Sequence, residues 1–257
     1  MQRPTEPASA TVAAVKVGLC GFTMAMAEYP RHFRLLEVQQ SFYEPPAERV
    51  AQRWRDAMPP DFEFTVKAWQ LITHESKSPT YRRLKRALSE QERADCGRFR
   101  DTPIVREAMS RTLATANTVR ASTVLFQCPA SFGPSAENVQ NLRRFIADIA
   151  RPQCWPGLRL AWEPRGPAWS AQRELALRLC EELQLIYVVD PFVDPIHVTS
   201  AGPAYVRLHG IGGARHVYTD EELARLAEQV PSGASVLFNH LPRVGDARRF
   251  HELMKSR

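Results

Sequence analysis

Tyr205-Val206-Arg207-Leu208-His209-Gly210 is the stretch whose reading decides the fold. It has the pattern of a short buried strand ending in a glycine turn. Side chains alternate along a strand, so Tyr205, Arg207 and His209 share one face and Val206 and Leu208 the other. The apolar face can pack beneath helices. The opposite face then carries a guanidinium and an imidazole at the strand's C-terminal end. Burying these groups is costly unless they are paired or reach a solvated site. Two readings are therefore open for them, a structural ion-pair network and a ligand site.

Seven further runs share this character: residues 15–20, 35–40, 62–68, 123–127, 158–163, 185–190 and 235–239. Helical patterns lie between most of them. Pro45-Pro46 opens one running through Met58, since proline is tolerated in a first turn. Others cover residues 81–92, 104–119, 136–150, 171–183 and 247–254, and Thr219-Asp220-Glu221-Glu222 starts one with an N-cap and early acidic residues. The first crossover is short, because only residues 28–35 can be helical. The longest interval, residues 74–120, reads as a helical insertion with an exposed loop over 95–100. Eight strands separated mainly by helices predict right-handed parallel crossovers. The number eight predicts α/β architecture closed as a single (β/α)₈ barrel of the TIM type, one domain over residues 15–257, behind a disordered leader over 1–14.

Composition narrows the class. The 257 residues are 44% hydrophobic and 24% charged, which is globular. A formal net charge of +6 leans towards anionic partners. The five cysteines, Cys20, Cys96, Cys128, Cys154 and Cys180, are scattered without a C-x-x-C pair, which predicts a reducing cytoplasmic setting and no structural zinc. No apolar run approaches the roughly 20 residues that span a bilayer, so no membrane partner is expected. Nothing in the chain speaks to its oligomeric state.

Parity assigns the site. With Leu36 and Val38 outward, Glu37 and Gln39 face inward, and the same rule turns Thr65, Lys67, Gln127, Glu163, Arg207, His209 and Asn239 inward. Asp190 closes the sixth strand just before a proline. Seven of eight strands thus end on a polar residue (Gln39, Lys67, Gln127, Glu163, Asp190, His209, Asn239), at the end where barrels of this type carry their sites. Glu163-Pro164-Arg165 adds a further guanidinium. Phe22, Phe42, Tyr43, Trp69, Phe132 and Trp169 crowd the loops at this end and together suggest the floor of a pocket for a ring or base.

The chain resembles the YecE-like proteins, the domain-of-unknown-function 72 family. The similar segments are Gly18-Leu19-Cys20-Gly21-Phe22, residues 37–43 with Pro45-Pro46, 64–74, 125–132, Glu163-Pro164-Arg165 through Trp169, Asp190, 205–210, and Phe238-Asn239 through Ala247. The resemblance implies the barrel and a rim site, without a settled activity. Phe22 stands where the family usually has Trp, Gln39-Gln40-Ser41 where it has Asn-Ser-Thr, and His240 where a second asparagine follows Asn239.

The leading reading is an enzyme acting on an anionic small molecule or phosphodiester. Lys67, Arg165 and Arg207 would hold the anion, Glu163 would be general base and His209 the acid or its partner. Gln127, Asp190, Asn239, Tyr43, His74 and Trp169 complete the expected binding set. A nucleotide- or nucleic-acid-binding module is a second reading; its densest basic cluster, Arg82-Arg83 with Lys85-Arg86, has the pattern of a solvated helix face. A metal-dependent hydrolase or isomerase using Glu163, Asp190, His209 and His74 is a third. Against it, three cations face two carboxylates. At an effective dielectric of about 20 and roughly 6 Å, each cation repels a divalent ion by about 5 kcal/mol. Neither metal nor cofactor is therefore expected.

Overall fold

The computed structural model describes residues 13–256. Eight parallel strands close into a barrel in chain order: β1 Lys16–Cys20, β2 Leu35–Val38, β3 Glu63–Lys67, β4 Thr123–Gln127, β5 Arg159–Glu163, β6 Ile186–Val189, β7 Tyr205–Leu208 and β8 Ser235–Phe238. β8 pairs with β1, Lys16 opposite Ser235, so no edge is left open. The expected parity holds. Cys20, Leu35, Leu125, Ala161, Ile186, Val188, Tyr205 and Leu237 pack inside the barrel. Leu36, Val38, Phe64, Val66, Trp162, Val206 and Phe238 face outward into a larger core beneath the helices. Both faces are buried, which is why these strands read as nearly continuous apolar runs.

The first crossover is as short as expected, a single turn at Tyr29–His32. The buried Tyr29 hydroxyl ties its ends together, accepting from the Leu19 N–H at 3.0 Å and donating to the Leu35 carbonyl at 2.8 Å. β1 and β2 approach so closely that a Cβ on Gly18 would lie 2.1 Å from the Leu35 carbonyl oxygen. Gly18→Ala is expected to destabilise the fold by about 2–3 kcal/mol through this overpacking. A thermal melt measures it, and an unchanged midpoint counts against the close approach.

The crossover from β3 to β4 is the longest, and its inner part differs from expectation. Residues 81–92 are not one helix. Ser78 caps a 3₁₀ turn at Pro79–Arg83, the chain straightens, and Ser89 starts a new helix at Glu90–Asp95 by a capping box with Glu92. The serine hydroxyls compete for local backbone donors and divide the apolar pattern. Nor is 95–100 an exposed loop. Gly97, Arg98 and Phe99 donate their N–H groups to Leu71, Thr73 and Ile72, and Cys96 and Phe99 are fully buried. Phe99 packs edge-on against Phe126 and Phe132. Helix Pro103–Thr118 then leads to β4.

Three single-turn helices, Gln40–Tyr43, Gln70–Thr73 and Pro167–Ser170, are not expected from the pattern, and the last helix begins four residues earlier than its pattern suggests; the other longer helices lie where expected. The remaining longer helices are Glu48–Asp56, Ala136–Arg144 continuing in π geometry over Phe145–Ala150, Arg173–Glu182, Asp220–Gln229 and Arg243–Lys255. Thr219 caps its helix as expected, with Glu222 reciprocating. The segment from β6 to β7 carries no helix. The expected leader falls mostly outside the described residues, but its end does not dangle: the Ala13 carbonyl accepts from the Gly233 N–H at 2.7 Å. Among the described residues no helix is long and apolar enough to cross a membrane, and all five cysteines are unpaired.

Candidate functional site

β7 ends on the barrel axis with Arg207 fully buried. Its Nη1 pairs with Glu163 Oε2 at the end of β5, and its Nη2 lies 2.8 Å from Glu37 Oε1 on β2. Gln127 Oε1 accepts a longer bond from Nη1, at 3.4 Å. Arg207 and Glu163 therefore do converge across the mouth. The sequence offers Arg207 as a holder of an anionic ligand, but its terminal nitrogens are turned to side chains, its Nε is sealed without a partner, and the whole group is closed off from solvent. It neutralises and positions two carboxylates.

Parity turns Glu37 inward without marking it as a site residue. It is fully buried, and its Oε2 accepts the Tyr205 hydroxyl at 2.6 Å, which in turn meets Thr65 at 2.7 Å. Gln39 donates to its other oxygen. The inward parity of Glu37, Thr65 and Tyr205 is the available signal; nothing in the sequence says that Glu37 meets Arg207.

Glu163 is the junction of the site. Its Oε1 is 3.0 Å from His209 Nε2 and 3.5 Å from Arg165 Nε. Burial alone would raise its carboxyl; Arg207, His209 and Arg165 outweigh burial and hold it well below the usual carboxylate range. Both of its oxygens are engaged, Oε2 by Arg207 and Oε1 by His209 and Arg165, so it is placed to orient its neighbours rather than to take a substrate proton itself. It orients the imidazole. With Nε2 donating to Glu163, His209 Nδ1 is left as acceptor, 3.4 Å from the Asn239 amide. His209 is 19% exposed and opens into a cleft of about 480 Å³. Arg165, Asp190 and Asn239 line the same cleft, which runs outward to Ser170, Tyr187 and Asp194.

Asp190 shapes this cleft. Its Oδ2 accepts the His209 N–H at 2.8 Å and its Oδ1 the Phe192 N–H at 3.1 Å, latching the ends of β6 and β7 together. Beyond the strand end, Gly210 turns at φ +90°, where an added Cβ would meet the Gly213 carbonyl oxygen at 2.3 Å. Lys67 stands across the mouth, its Nζ 3.7 Å from the centre of the Phe42 ring. Burial, and then the charge of Arg207, push its ammonium down to about 7 against the pull of Glu37 and Glu163.

Three expected binding residues do not line the cleft. Trp169 is buried, its indole N–H donating to the Phe132 carbonyl at 2.5 Å and its ring set edge-on to Trp162. Tyr43 lies under the Arg83 guanidinium, 3.6 Å from its ring centre. His74 is buried against Thr73 Oγ1 at 2.7 Å; burial, Lys67 and Arg165 hold it neutral, down at about 3. The rim aromatics do not floor the pocket. Trp69, Phe132 and Trp169 are buried because the loops fold their rings onto the backs of the strands, whereas Phe42 is buried at the mouth under the Lys67 ammonium. In the basic cluster, Arg83 covers Tyr43 and Arg86 pairs with Glu92 and Glu107.

Glu37 also corrects the charge count, because it brings the carboxylates at this rim to three. The repulsion argument against a divalent ion weakens accordingly. Among the described residues no three His, Cys, Asp or Glu side chains are grouped to share one ion. Glu163 and His209 bond each other, Asp190 holds backbone, and His74 is bound to Thr73.

Residues 22–257 match the family described as protein of unknown function DUF72. Among solved structures, a DUF72 family protein from Enterococcus faecalis is 22% identical, covering 95% of this chain and 98% of its own, with a TM-score of 0.69. A DUF72 family protein from Thermotoga maritima is also 22% identical, covering 94% and 99%, with a TM-score of 0.65. A xylose isomerase domain protein from Planctomyces limnophilus shares the fold at 11% identity, covering 95% and 96%, with a TM-score of 0.56. No curated protein matches the chain.

Proposed function

The chain belongs to the DUF72 family of proteins of unknown function, and from that premise we propose that it is an enzyme acting on a small anionic molecule in the rim cleft, with His209 as its acid–base group. One observation carries this reading: Glu163 Oε1 holds His209 Nε2 at 3.0 Å at the wall of a cleft that Arg165 also lines. The geometry is that of an imidazole fixed in one tautomer by a carboxylate, the arrangement that general acid–base catalysis needs. The 3.4 Å contact from Nδ1 to Asn239 is long enough for a substrate proton to replace it. Glu163 stabilises the imidazolium that forms when Nδ1 takes that proton.

Arg165 is the group for the anion. Its side chain is 39% exposed and its one ionic contact among the described residues is Glu163 at 3.5 Å, so its outer donors can meet a phosphate or carboxylate in bidentate fashion. Asn239 orients the substrate beside the imidazole.

The test is binding of inorganic phosphate and small carboxylates by calorimetry, together with turnover of a panel of small phosphate and carboxylate esters. Arg165→Ala is expected to weaken anion binding about tenfold, the loss of one charge-assisted contact. His209→Ala is expected to lower kcat by about 100-fold or more while leaving anion binding near its starting value. Absence of anion binding at millimolar concentration, or turnover unchanged in His209→Ala, sinks the reading.

A further inference from the structure

Lys67 differs from the other buried cations. Arg55 spends its donors on the Phe62, Met58 and Pro59 carbonyls, and Arg207 on Glu37 and Glu163. Lys67 is only 6% exposed, yet its Nζ has no hydrogen bond and no carboxylate within ion-pair distance among the described residues. Its close neighbour is the face of Phe42. Nor is Nζ among the sealed polar atoms that lack a partner, so it keeps an opening to solvent at the barrel mouth.

We propose that Lys67 is a nucleophilic amine that captures a small anionic carbonyl compound, such as a 2-oxo acid, as an imine. The inference deepens the reading above, taking its anionic ligand and naming the carbonyl as the reacting group. Arg207 takes up both nearby carboxylates, and that leaves Lys67 without a counter-ion. A buried amine beside a second cation, with an aromatic face as its nearest neighbour, is an arrangement that frees a lysine lone pair at neutral pH. The groups facing it are Arg207 on β7, Glu37 on β2, Glu163 on β5 and Cys20 on β1, with His74 on the segment after β3. Burial and Arg207 outweigh the two carboxylates, leaving the ammonium at about 7. His74 feels the charge of both Lys67 and Arg165, and in the proposal Arg165 receives the carboxylate of the guest.

The chemistry balances without an oxidant or reductant. The Nζ lone pair adds to the carbonyl carbon and the C=O electron pair moves to oxygen. A proton passes from nitrogen to oxygen, giving a carbinolamine. The hydroxyl leaves as water with a proton from solvent, and the nitrogen lone pair closes the protonated imine.

The experiment treats the full chain with glyoxylate and cyanoborohydride, which delivers hydride to the imine carbon, and maps the carboxymethyl adduct by peptide mass. The chain has five lysines, and Lys16, Lys77, Lys85 and Lys255 serve as internal references. At pH 7 about half of an amine titrating near 7 is free, against about 1 in 2,500 of an ordinary lysine. Lower basicity returns part of that advantage, so Lys67 is expected to label about tenfold faster than exposed Lys77. Its rate should fall as pH drops below about 7. With propanal, which lacks the carboxylate, the Lys67 to Lys77 ratio should drop several-fold. Labelling at Lys67 no faster than at Lys77 overturns the proposal, and an equal ratio with propanal overturns its anionic class. The readout is made on the unaltered chain and so does not depend on a variant folding. Anion binding without trapping removes this inference alone. Trapping without any effect of His209→Ala on turnover removes the acid–base reading alone.

Discussion

Arg207→Ala is expected to lower stability by about 3–5 kcal/mol, the range for removing one partner of a buried ionic group. For a chain of this size that is a fall in melting temperature of about 6–20 °C. Glu37 and Arg207 have no side-chain exposure and Glu163 has 6%, so the substitution strands two carboxylates in the barrel at once. Urea denaturation of Arg207→Ala, Glu37→Gln, Glu163→Gln and the combined variant measures the coupling. Neutralising both carboxylates should restore part of what Arg207→Ala loses, because no unpaired charge then remains. A wild-type midpoint in Arg207→Ala removes the triad as a structural element.

The acid limb of stability follows with a definite sign. The folded Glu163 carboxyl titrates below its unfolded value, so its contribution is present above about pH 4.3 and is lost as pH falls through the folded value. Glu163→Gln should therefore flatten the loss of stability below about pH 5.

Much of this molecule is legible in its sequence, for a physical reason. A parallel barrel buries both faces of every strand, so its strands stand out as apolar runs, and period-two parity then sorts inside from outside. Parity alone turns Lys67, Glu163, Arg207 and His209 to one mouth. Partners are not legible. Glu37 and Arg207 are separated by 170 positions, and only barrel closure brings them together. Parity also does not say which inward groups are sealed. Arg207 reads like Arg165, yet one is locked between carboxylates and the other lines the cleft. The segment 95–100 reads as a loop because its fold depends on positive φ at Gly97, Arg98 and Phe99, two of them residues that rarely adopt it. The rim aromatics mislead for a related reason: the sequence places a ring on a loop but does not give the direction in which the loop folds back.

Lys67→Met is expected to stabilise the protein, and by an amount that depends on pH. The folded ammonium titrates at about 7, whereas an unfolded lysine titrates at about 10.4. Between these values the unfolded chain binds more protons than the folded one, so stability rises with pH across that window. The penalty is fully present below pH 7 and fades as pH approaches about 10.4. Every tenfold loss of proton affinity on folding corresponds to about 1.4 kcal/mol, and local relaxation and the lost contact with Phe42 reduce the net. Methionine keeps the length and the packing of the stem without the charge. Lys67→Met is therefore expected to gain about 2–4 kcal/mol at pH 6, and little at pH 10. The measurement is urea denaturation of both proteins at pH 6, 8 and 10. A gain that does not change with pH would mean that packing, not the buried charge, accounts for it. A loss at pH 6 would mean that Glu37 and Glu163 need Lys67 as well as Arg207 to remain ionised in the barrel. In either case the depressed ammonium, and with it the nucleophile, would be gone. The expected result makes Lys67 a residue held at a cost to the fold, as groups kept for chemistry rather than stability often are.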